Sequence, residues 1–261
     1  MEIFVLNFKN GRIGETKLNK YGSEITIIKY LNSRDIVVRF TKENYETTTR
    51  YDAFLEGRTK NPYDKTICGV GYLGEGGYVK TKKCVANPIY VTWDCMLRRV
   101  YSDKIHKRKP SYIGCSVTED WHNFQVFAKW YNENYYKIED QEMQLDKDIL
   151  LKGNKVYSPE TCIFVPQNIN KLFVKKRSTR GEYPIGVHYS ERYKSLISSC
   201  NNNDNSGLPE FLGCYSTPEL AFNAYKTYKE NIIKQVADKY KNQIPKILYD
   251  TMYAYKVEIT D

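Results

Sequence analysis

The sequence has no apolar run of the ~20 residues that a membrane-spanning helix requires. Its opening residues, from Met1 to Phe8, do not have the charged start and apolar core of a signal peptide. A chain with 41% hydrophobic and 27% charged residues has the ordinary balance of a globular protein. We therefore expect a soluble protein that works in the cytoplasm.

Closely spaced cysteine pairs are also missing. The chain has 7 cysteines, an odd number, and none of them form a CxxC pair. This spacing excludes a disulfide framework and a zinc finger, and it fits a reducing compartment. We expect no structural zinc.

Charge of one sign is in excess. The chain carries 40 Lys and Arg against 31 Asp and Glu, for a formal net charge of +9. A basic surface favours a polyanionic partner such as nucleic acid, although many cytosolic proteins have a similar balance. The 24 tyrosines carry no functional weight, because an A- and T-rich coding sequence produces the same bias.

The first part of the chain predicts a small, mostly β domain over residues 1–88. Apolar residues alternate between Ile25 and Phe40 around a polar turn, which is typical of a β-hairpin. Frequent glycines then leave no room for a long helix before residue 88. Gly69 to Gly74 fit the GxGxxG pattern, but no buried strand precedes them and no helix follows. We interpret these glycines as tight turns and expect no nucleotide cofactor.

Helical spacing of apolar residues begins at Trp93 and again at Trp121, with a basic loop from Arg98 to Pro110 between the two helices. A short strand at 143–147, a polar connection, a second strand at 162–165 and a short helix opened by Pro166 follow. We assign residues 89–175 to a central domain and 176–182 to a basic linker.

The last part of the chain, residues 183–261, predicts three strands at 186–188, 193–197 and 211–215, followed by a long helix from Thr217. Ser216 and Glu219 have the spacing of a capping box, and Pro218 occupies the first turn. The fold class expected for the chain is α+β in three small modules.

The segment from Leu145 to Val165 resembles the metal-binding unit of phage HNH endonucleases. The resemblance covers roughly 89–175 and is carried by LDKD at 145–148, by GN at 153–154 and by YSPETCIFV at 157–165. It implies a ββα fold around one divalent ion that stabilises the scissile phosphate and the leaving oxygen. In that family a histidine deprotonates the attacking water.

By this resemblance Asp146 and Asn170 are the metal ligands, and oxygen ligands imply Mg²⁺ or Mn²⁺. The sequence departs from the family at Lys147, which stands in the place of the histidine base, and at Thr161, which replaces an asparagine that ties the loop together. Lys147 is a poor base, because neighbouring carboxylates favour its charged form, but it suits a phosphate contact. We therefore assign Asp148 to orienting or deprotonating water. Asn154 and Thr161 are expected to stabilise the loop.

The last domain resembles the Apetala-type DNA-binding domain. The residues that carry this resemblance are GV at 186–187, YKSLI at 193–197, LGCYST at 212–217 and ELAFNAY at 219–225. Such domains lay a three-stranded antiparallel sheet on the major groove of DNA and pack a helix behind it. The residues expected to contact DNA, in this sheet and in the basic runs on either side of the central unit, are Arg98, Arg99, Lys107, Arg108, Lys109, Lys175, Lys176, Arg177, Arg180, His188, Arg192, Tyr193 and Lys194.

These resemblances together predict a double-stranded-DNA-binding protein of the phage HNH homing-endonuclease group, which nicks DNA by metal-dependent phosphodiester hydrolysis. If the chain is phage-encoded, its compartment is the cytoplasm of the host cell. One alternative is a sequence-selective DNA-binding or regulatory protein without catalysis, because the histidine is missing. A second alternative is a module that binds a host protein. A monomer with one metal site is the simplest assembly.

Overall fold

A computed structural model describes residues 11–173, 181–201 and 208–261. The protein is a mixed α+β structure with several small sheets, which confirms the predicted class. The chain divides into two compact units at Glu133 and Asn134. The finer division into domains at 88, 175 and 183 stays a prediction. No helix in the described ranges combines the length and the apolar character that a bilayer span needs.

The first unit contains a four-stranded antiparallel meander. Its strands pair in chain order and are β1 (Thr16–Leu18), β2 (Glu24–Asn32), β3 (Asp35–Phe40) and β4 (Tyr45–Thr49). The inward positions bury Ile25, Ile27, Ile36, Val38 and Phe40 completely, as alternation on a half-covered sheet requires. Phe54 from the short helix α1 (Tyr51–Leu55) completes this core. The hairpin predicted from Ile25 to Phe40 is confirmed.

Between α1 and residue 88 the backbone consists of turns and one small hairpin, β5 (Thr81–Lys82) with β6 (Val85–Ala86). Gly69 and Gly74 have φ angles of 73° and 68°, a region that favours glycine. No helix follows Gly74 until residue 88, so the interpretation of these glycines as tight turns is confirmed.

The helical part of the first unit consists of α2 (Pro88–Tyr101), α3 (Asp103–Arg108) and α4 (Phe124–Asn134), with 3₁₀ turns at Pro110–Tyr112 and Glu119–His122 and the short strand β7 (Ser116–Val117). Asn87 caps α2 by accepting from Ile89 N at 3.0 Å, and Trp93 packs its ring against Phe124 at 5.4 Å. The loop predicted from Arg98 to Pro110 is wrong. Arg98 lies inside α2, and residues 103–108 form α3 after a single break at Ser102.

The second unit begins with a hairpin covered by a helix. Strand β8 (Met143–Asp146) pairs antiparallel with β10 (Ile163–Pro166), and the connection between them contains the short strand β9 (Val156–Tyr157). The chain then turns directly into α5 (Gln167–Asn170), which packs against both long strands, and a 3₁₀ turn at Lys171–Phe173.

The rest of the second unit is a three-stranded antiparallel sheet in chain order, β11 (Val187–Ser190), β12 (Ser195–Asn201) and β13 (Pro209–Tyr215). Helix α6 (Pro218–Tyr240) packs against this sheet, and α7 (Lys246–Ala254) packs against α6. One apolar core joins the hairpin, the sheet and both helices, with Val165, Ile169, Val187, Ala221 and Leu248 among its buried members.

The cap of α6 differs from the prediction. Thr217, and not Ser216, is the N-cap, and its Oγ1 accepts from Leu220 N at 3.3 Å. Pro218 fixes the first helical position, so the cap must be the residue immediately before it. Leu220, in the first turn of α6, is 51% exposed.

Candidate metal and nucleic-acid site

Asp146 and Gln144 lie on strand β8 of the β8–β10 hairpin, and Asn170 lies on helix α5, which covers one face of this hairpin. Asp146 is directly opposite Ile163 and Gln144 opposite Val165, so alternation places these four residues on the same face. Asn170, the last residue of α5, donates from Nδ2 to Gln144 Oε1 at 2.8 Å. The structure therefore brings Asn170 to the face that carries Asp146, with Gln144 as the residue it contacts.

Asp146 is a partly buried carboxylate that lies next to another acid. Its Oδ1 accepts from the backbone N of Asp148 at 2.9 Å and from the backbone N of Ile149 at 2.8 Å. Burial, and next the nearby charge of Asp148, raise the pKa of Asp146 to about 6 against the lowering effect of the two N–H groups. The Asp146 side chain also hydrogen-bonds with the Asp148 carboxyl group. Two carboxyl groups in contact favour either a shared proton or a bound cation.

Lys147 is held by its neighbour and by an aromatic ring. Its Nζ lies 3.1 Å from Asp148 Oδ2 and 5.8 Å from the centre of the Tyr157 ring. Only 11% of the Lys147 side chain is exposed, against 49% for Asp148. Asp148 thus contacts both Asp146 and Lys147, and its carboxyl group is the part of this cluster that solvent reaches most easily.

The connection between the strands is tied by Asn154 and Thr161. Asn154 Nδ2 donates to Lys147 O and to Val156 O, both at 2.7 Å. Thr161 Oγ1 donates to the same Val156 oxygen at 2.8 Å and lies 3.0 Å from Ser158 Oγ. These bonds fix the backbone at Lys147, where the connection leaves β8.

The oxygen atoms of this face suit a hard cation. Carboxylates of Asp146 and Asp148 and the amide oxygens of Gln144 and Asn170 are the donor types that Mg²⁺ and Mn²⁺ prefer. In the described part of the chain, no group of three or more His, Cys, Asp or Glu side chains could hold a metal. Asp146 and Asn170, the two predicted ligands, would therefore need water to complete the shell of a cation at this face. Gln144 was not predicted, although its place two residues before Asp146 on one strand is a signal for it.

The predicted DNA contacts of the first unit lie on helices, except Lys109, which follows the end of α3. Arg98 Nε pairs with Asp94 Oδ2 at 2.6 Å, and Arg99 Nε donates to Cys95 O at 3.2 Å. Three other exposed residues form no ion pair with any residue that the structure describes, namely Lys107, Arg108 and Lys109. These three are the basic side chains of this segment that are best placed for an external anion.

The sheet of the second unit has one face turned away from α6. His188, Ile197 and Cys214 lie side by side across its three strands on that face, and His188 and Cys214 are exposed. Tyr193, in the β11–β12 turn, stacks on Phe211 of β13 with ring centres 5.9 Å apart.

The turn between β11 and β12 adds two cations. Arg192 lies over the Tyr193 ring at 5.4 Å, and Lys194 occupies a left-handed position with φ of 47°. Both side chains are exposed, as is the neighbouring Glu191. Four predicted DNA contacts, His188, Arg192, Tyr193 and Lys194, therefore belong to one exposed strand-and-turn region. Lys175, Lys176, Arg177 and Arg180 lie outside the described residues.

The burial of Asp146 leads to a prediction about stability. The unfolded carboxyl titrates near 3.8 and the folded one near 6, so the folded state binds the proton more tightly and loses stability as pH rises from about 4 to about 6. Asp146→Asn removes this loss of stability, because the amide does not ionise. In the presence of chelator we expect the variant to exceed the native protein by on the order of 2 kcal/mol at pH 8, with little difference at pH 4.5.

Urea unfolding at the two pH values measures this effect. The control is Asp140→Asn, at an exposed residue with φ of 57°, a conformation that asparagine adopts as readily as aspartate. A stability gain that is equal at both pH values, or equal in the two variants, would contradict the buried-carboxylate interpretation.

No family model, no curated protein and no solved structure matches this chain.

Proposed function

We propose that the protein binds double-stranded DNA and hydrolyses a phosphodiester bond with a divalent metal ion, as a member of the phage HNH endonuclease group with an Apetala-type C-terminal domain. The observation that carries the proposal is the Asp146 carboxylate, partly buried beside Asp148 on the strand face that α5 covers. A partly buried carboxylate in contact with a second acid is costly to a fold unless it serves a cation or a proton.

Each residue of the cluster has a role in this proposal. Asp146 and Asn170 hold the ion, with Gln144 positioning the Asn170 amide through their 2.8 Å hydrogen bond. Bound there, Mg²⁺ or Mn²⁺ supplies charge stabilisation at the scissile phosphate. Asp148, half exposed, orients the attacking water and accepts its proton. Lys147, charged and paired with Asp148, contacts a phosphate oxygen when DNA binds.

The test is a nicking assay with supercoiled DNA from the genome that encodes the protein. The purified chain is incubated with Mg²⁺, with Mn²⁺ or with chelator, and the nicked and linear products are separated on a gel. We expect nicked circles with metal and none with chelator. DNA that stays supercoiled with both metals, at protein concentrations that saturate binding, argues against the nuclease.

A specific observation favours a second candidate, a protein that binds DNA without cutting it. The Lys147 ammonium group pairs with Asp148 at 3.1 Å, which occupies the carboxylate that would otherwise act on water. The three histidines of the chain, His106, His122 and His188, all lie outside 145–170. Saturable binding to a defined sequence, unchanged by chelator and without nicking, would support this candidate.

The strand-and-turn region of the second unit leads to a prediction about salt. If Arg192 and Lys194 contact phosphates, Arg192→Gln with Lys194→Gln should weaken DNA binding and lower the slope of log K against log salt by about 2, roughly 1 per lost contact. Fluorescence anisotropy at several salt concentrations measures both quantities.

The matched control for this pair is Lys239→Gln with Lys241→Gln. Both lysines are exposed at the C-terminal end of α6, and the two substitutions remove the same charge as those in the turn. A slope that drops equally in both double variants would mean that net charge alone, and not a contact by the turn, sets the affinity.

A further inference from the structure

A small cavity in the second unit is separate from the Asp146 cluster. It has a volume of about 40 Å³ and lies between α6, the segment after α7 and the 3₁₀ turn at 171–173. By volume it accommodates roughly three water molecules, or one compact polar group. Its walls are mostly apolar and aromatic, with Phe173, Tyr225, Tyr255 and Val257 among them.

Lys229 is the cation in this wall. It projects from the middle of α6 and forms no hydrogen bond or ion pair with any residue that the structure describes. Burial lowers the pKa of Lys229, and the nearby Cys200 thiol opposes that shift. A largely buried ammonium group without an acceptor is costly, so this position favours either an uncharged amine or an anion that enters the cavity.

The acids nearby do not meet this need, because each is already engaged. Asp261, also in the cavity wall, accepts from Lys152 Nζ at 2.9 Å and from Glu258 N at 3.0 Å. Glu230, the next residue on α6, accepts from Val257 N at 3.0 Å and pairs with Lys226 Nζ at 3.3 Å. These two carboxylates have their donors, whereas Lys229 has no acceptor among the described residues.

Two aromatic side chains of the cavity wall contact each other. The rings of Phe173 and Tyr255 meet edge to face with centres 4.8 Å apart. Burial raises the pKa of Tyr255, so its hydroxyl stays protonated near neutral pH and can donate a hydrogen bond. Lys229 and Tyr255 line the same cavity, so an ammonium group and a phenol are both present as hydrogen-bond donors to an oxyanion, and a bond from a charged donor is stronger than one between neutral groups.

We propose that this cavity binds one compact oxyanion, a carboxylate or a phosphate group, whose oxygen accepts a hydrogen bond from Lys229 Nζ. The ligand is either a small free anion or the charged end of a larger molecule. Both kinds of ligand present the same oxyanion group to Lys229. The proposal does not depend on DNA binding or on metal chemistry.

Calorimetric titration of the full chain with sodium acetate and with sodium phosphate, against sodium chloride at equal ionic strength, tests the site. We expect saturable binding of at least one oxyanion, and Lys229→Met should weaken it by at least about 10-fold, the loss expected for one charge-assisted hydrogen bond. Binding of acetate alone would indicate that the ligand is a carboxylate, and binding of phosphate would indicate that it is a phosphate group. The control Lys234→Met, at a half-buried lysine of the same helix, should bind as the native chain does.

A second measurement on the native chain does not depend on how the variants fold. In protein labelled with ¹³C-lysine, the pKa of Lys229 followed by NMR should rise when the oxyanion is added, because an anion favours the charged form. Equal binding by Lys229→Met and the native chain, no binding of either anion above chloride, or an unchanged Lys229 pKa would each overturn the proposal.

Discussion

Asp146→Ala should abolish metal-dependent nicking while DNA binding persists. We expect the nicking rate to fall by about 100-fold or more, because a metal ion at the scissile phosphate contributes several kcal/mol to the transition state and Asp146 is the carboxylate proposed to hold that ion. The measurement is the initial rate of conversion of supercoiled to nicked circles with saturating Mg²⁺. Anisotropy on the same protein measures DNA affinity, which should change by less than about 3-fold.

Glu139→Ala is the control for this variant. It removes one acidic side chain from an exposed position of the same unit, and it should nick at the native rate. If Asp146→Ala nicks as fast as Glu139→Ala, the metal is held elsewhere or a contaminating nuclease is responsible. If Asp146→Ala loses DNA binding as well as nicking, its effect is on the fold and not on the chemistry.

Asp148 separates the two candidate functions further. In the nuclease proposal its carboxylate acts on water, and in the alternative it serves only to neutralise Lys147 at 3.1 Å. Asp148 also hydrogen-bonds with Asp146, so the three side chains form one coupled group in which a change of any charge affects the other two. The Asp148 carboxylate, paired with Lys147, is thus the group on which the two candidate functions differ.

Some of this arrangement could be predicted from local patterns. Alternating apolar residues predicted the β2–β3 hairpin, and the short runs around 143–147 and 162–165, followed by Pro166, predicted strands β8 and β10 and the helix after them. Such patterns depend on which side of a strand or helix faces the core, and the sequence carries that information residue by residue.

Other features depend on neighbours that are distant in sequence. Gln144 gains its role only when α5 folds back and brings Asn170 to it, and Lys147 pairs with Asp148 only because the connection after β8 takes the conformation that Asn154 fixes. The basic segment after Arg98 was predicted to be a loop because its charge outweighed its weak apolar spacing, yet it is helical apart from Ser102 and Lys109. Charge patterning indicates exposure, and an exposed segment can be a helix as readily as a loop.

Gly186→Ala should destabilise the second unit strongly. Gly186 has a φ of 79°, in the left-handed region, and a Cβ there would lie 2.0 Å from Cδ2 of Tyr225. Tyr225 is 7% exposed in the core between α6 and the sheet, so its ring has little space to move. Backbone strain of about 1 kcal/mol and overpacking of about 1–3 kcal/mol together should lower the melting temperature by about 10 °C.

Calorimetry of the native chain, of Gly186→Ala and of the control Gly181→Ala measures this effect. A Cβ at Gly181 meets no atom within 4 Å, so that variant should melt as the native protein does. Equal melting of the two variants would mean that Tyr225 does not pack against Gly186. The β8–β10 hairpin and the sheet share one core with α6, so Gly186→Ala should also reduce both nicking and DNA binding as the unit unfolds. Loss of both activities on unfolding, against loss of nicking alone in Asp146→Ala, separates the structural from the chemical contribution of this unit.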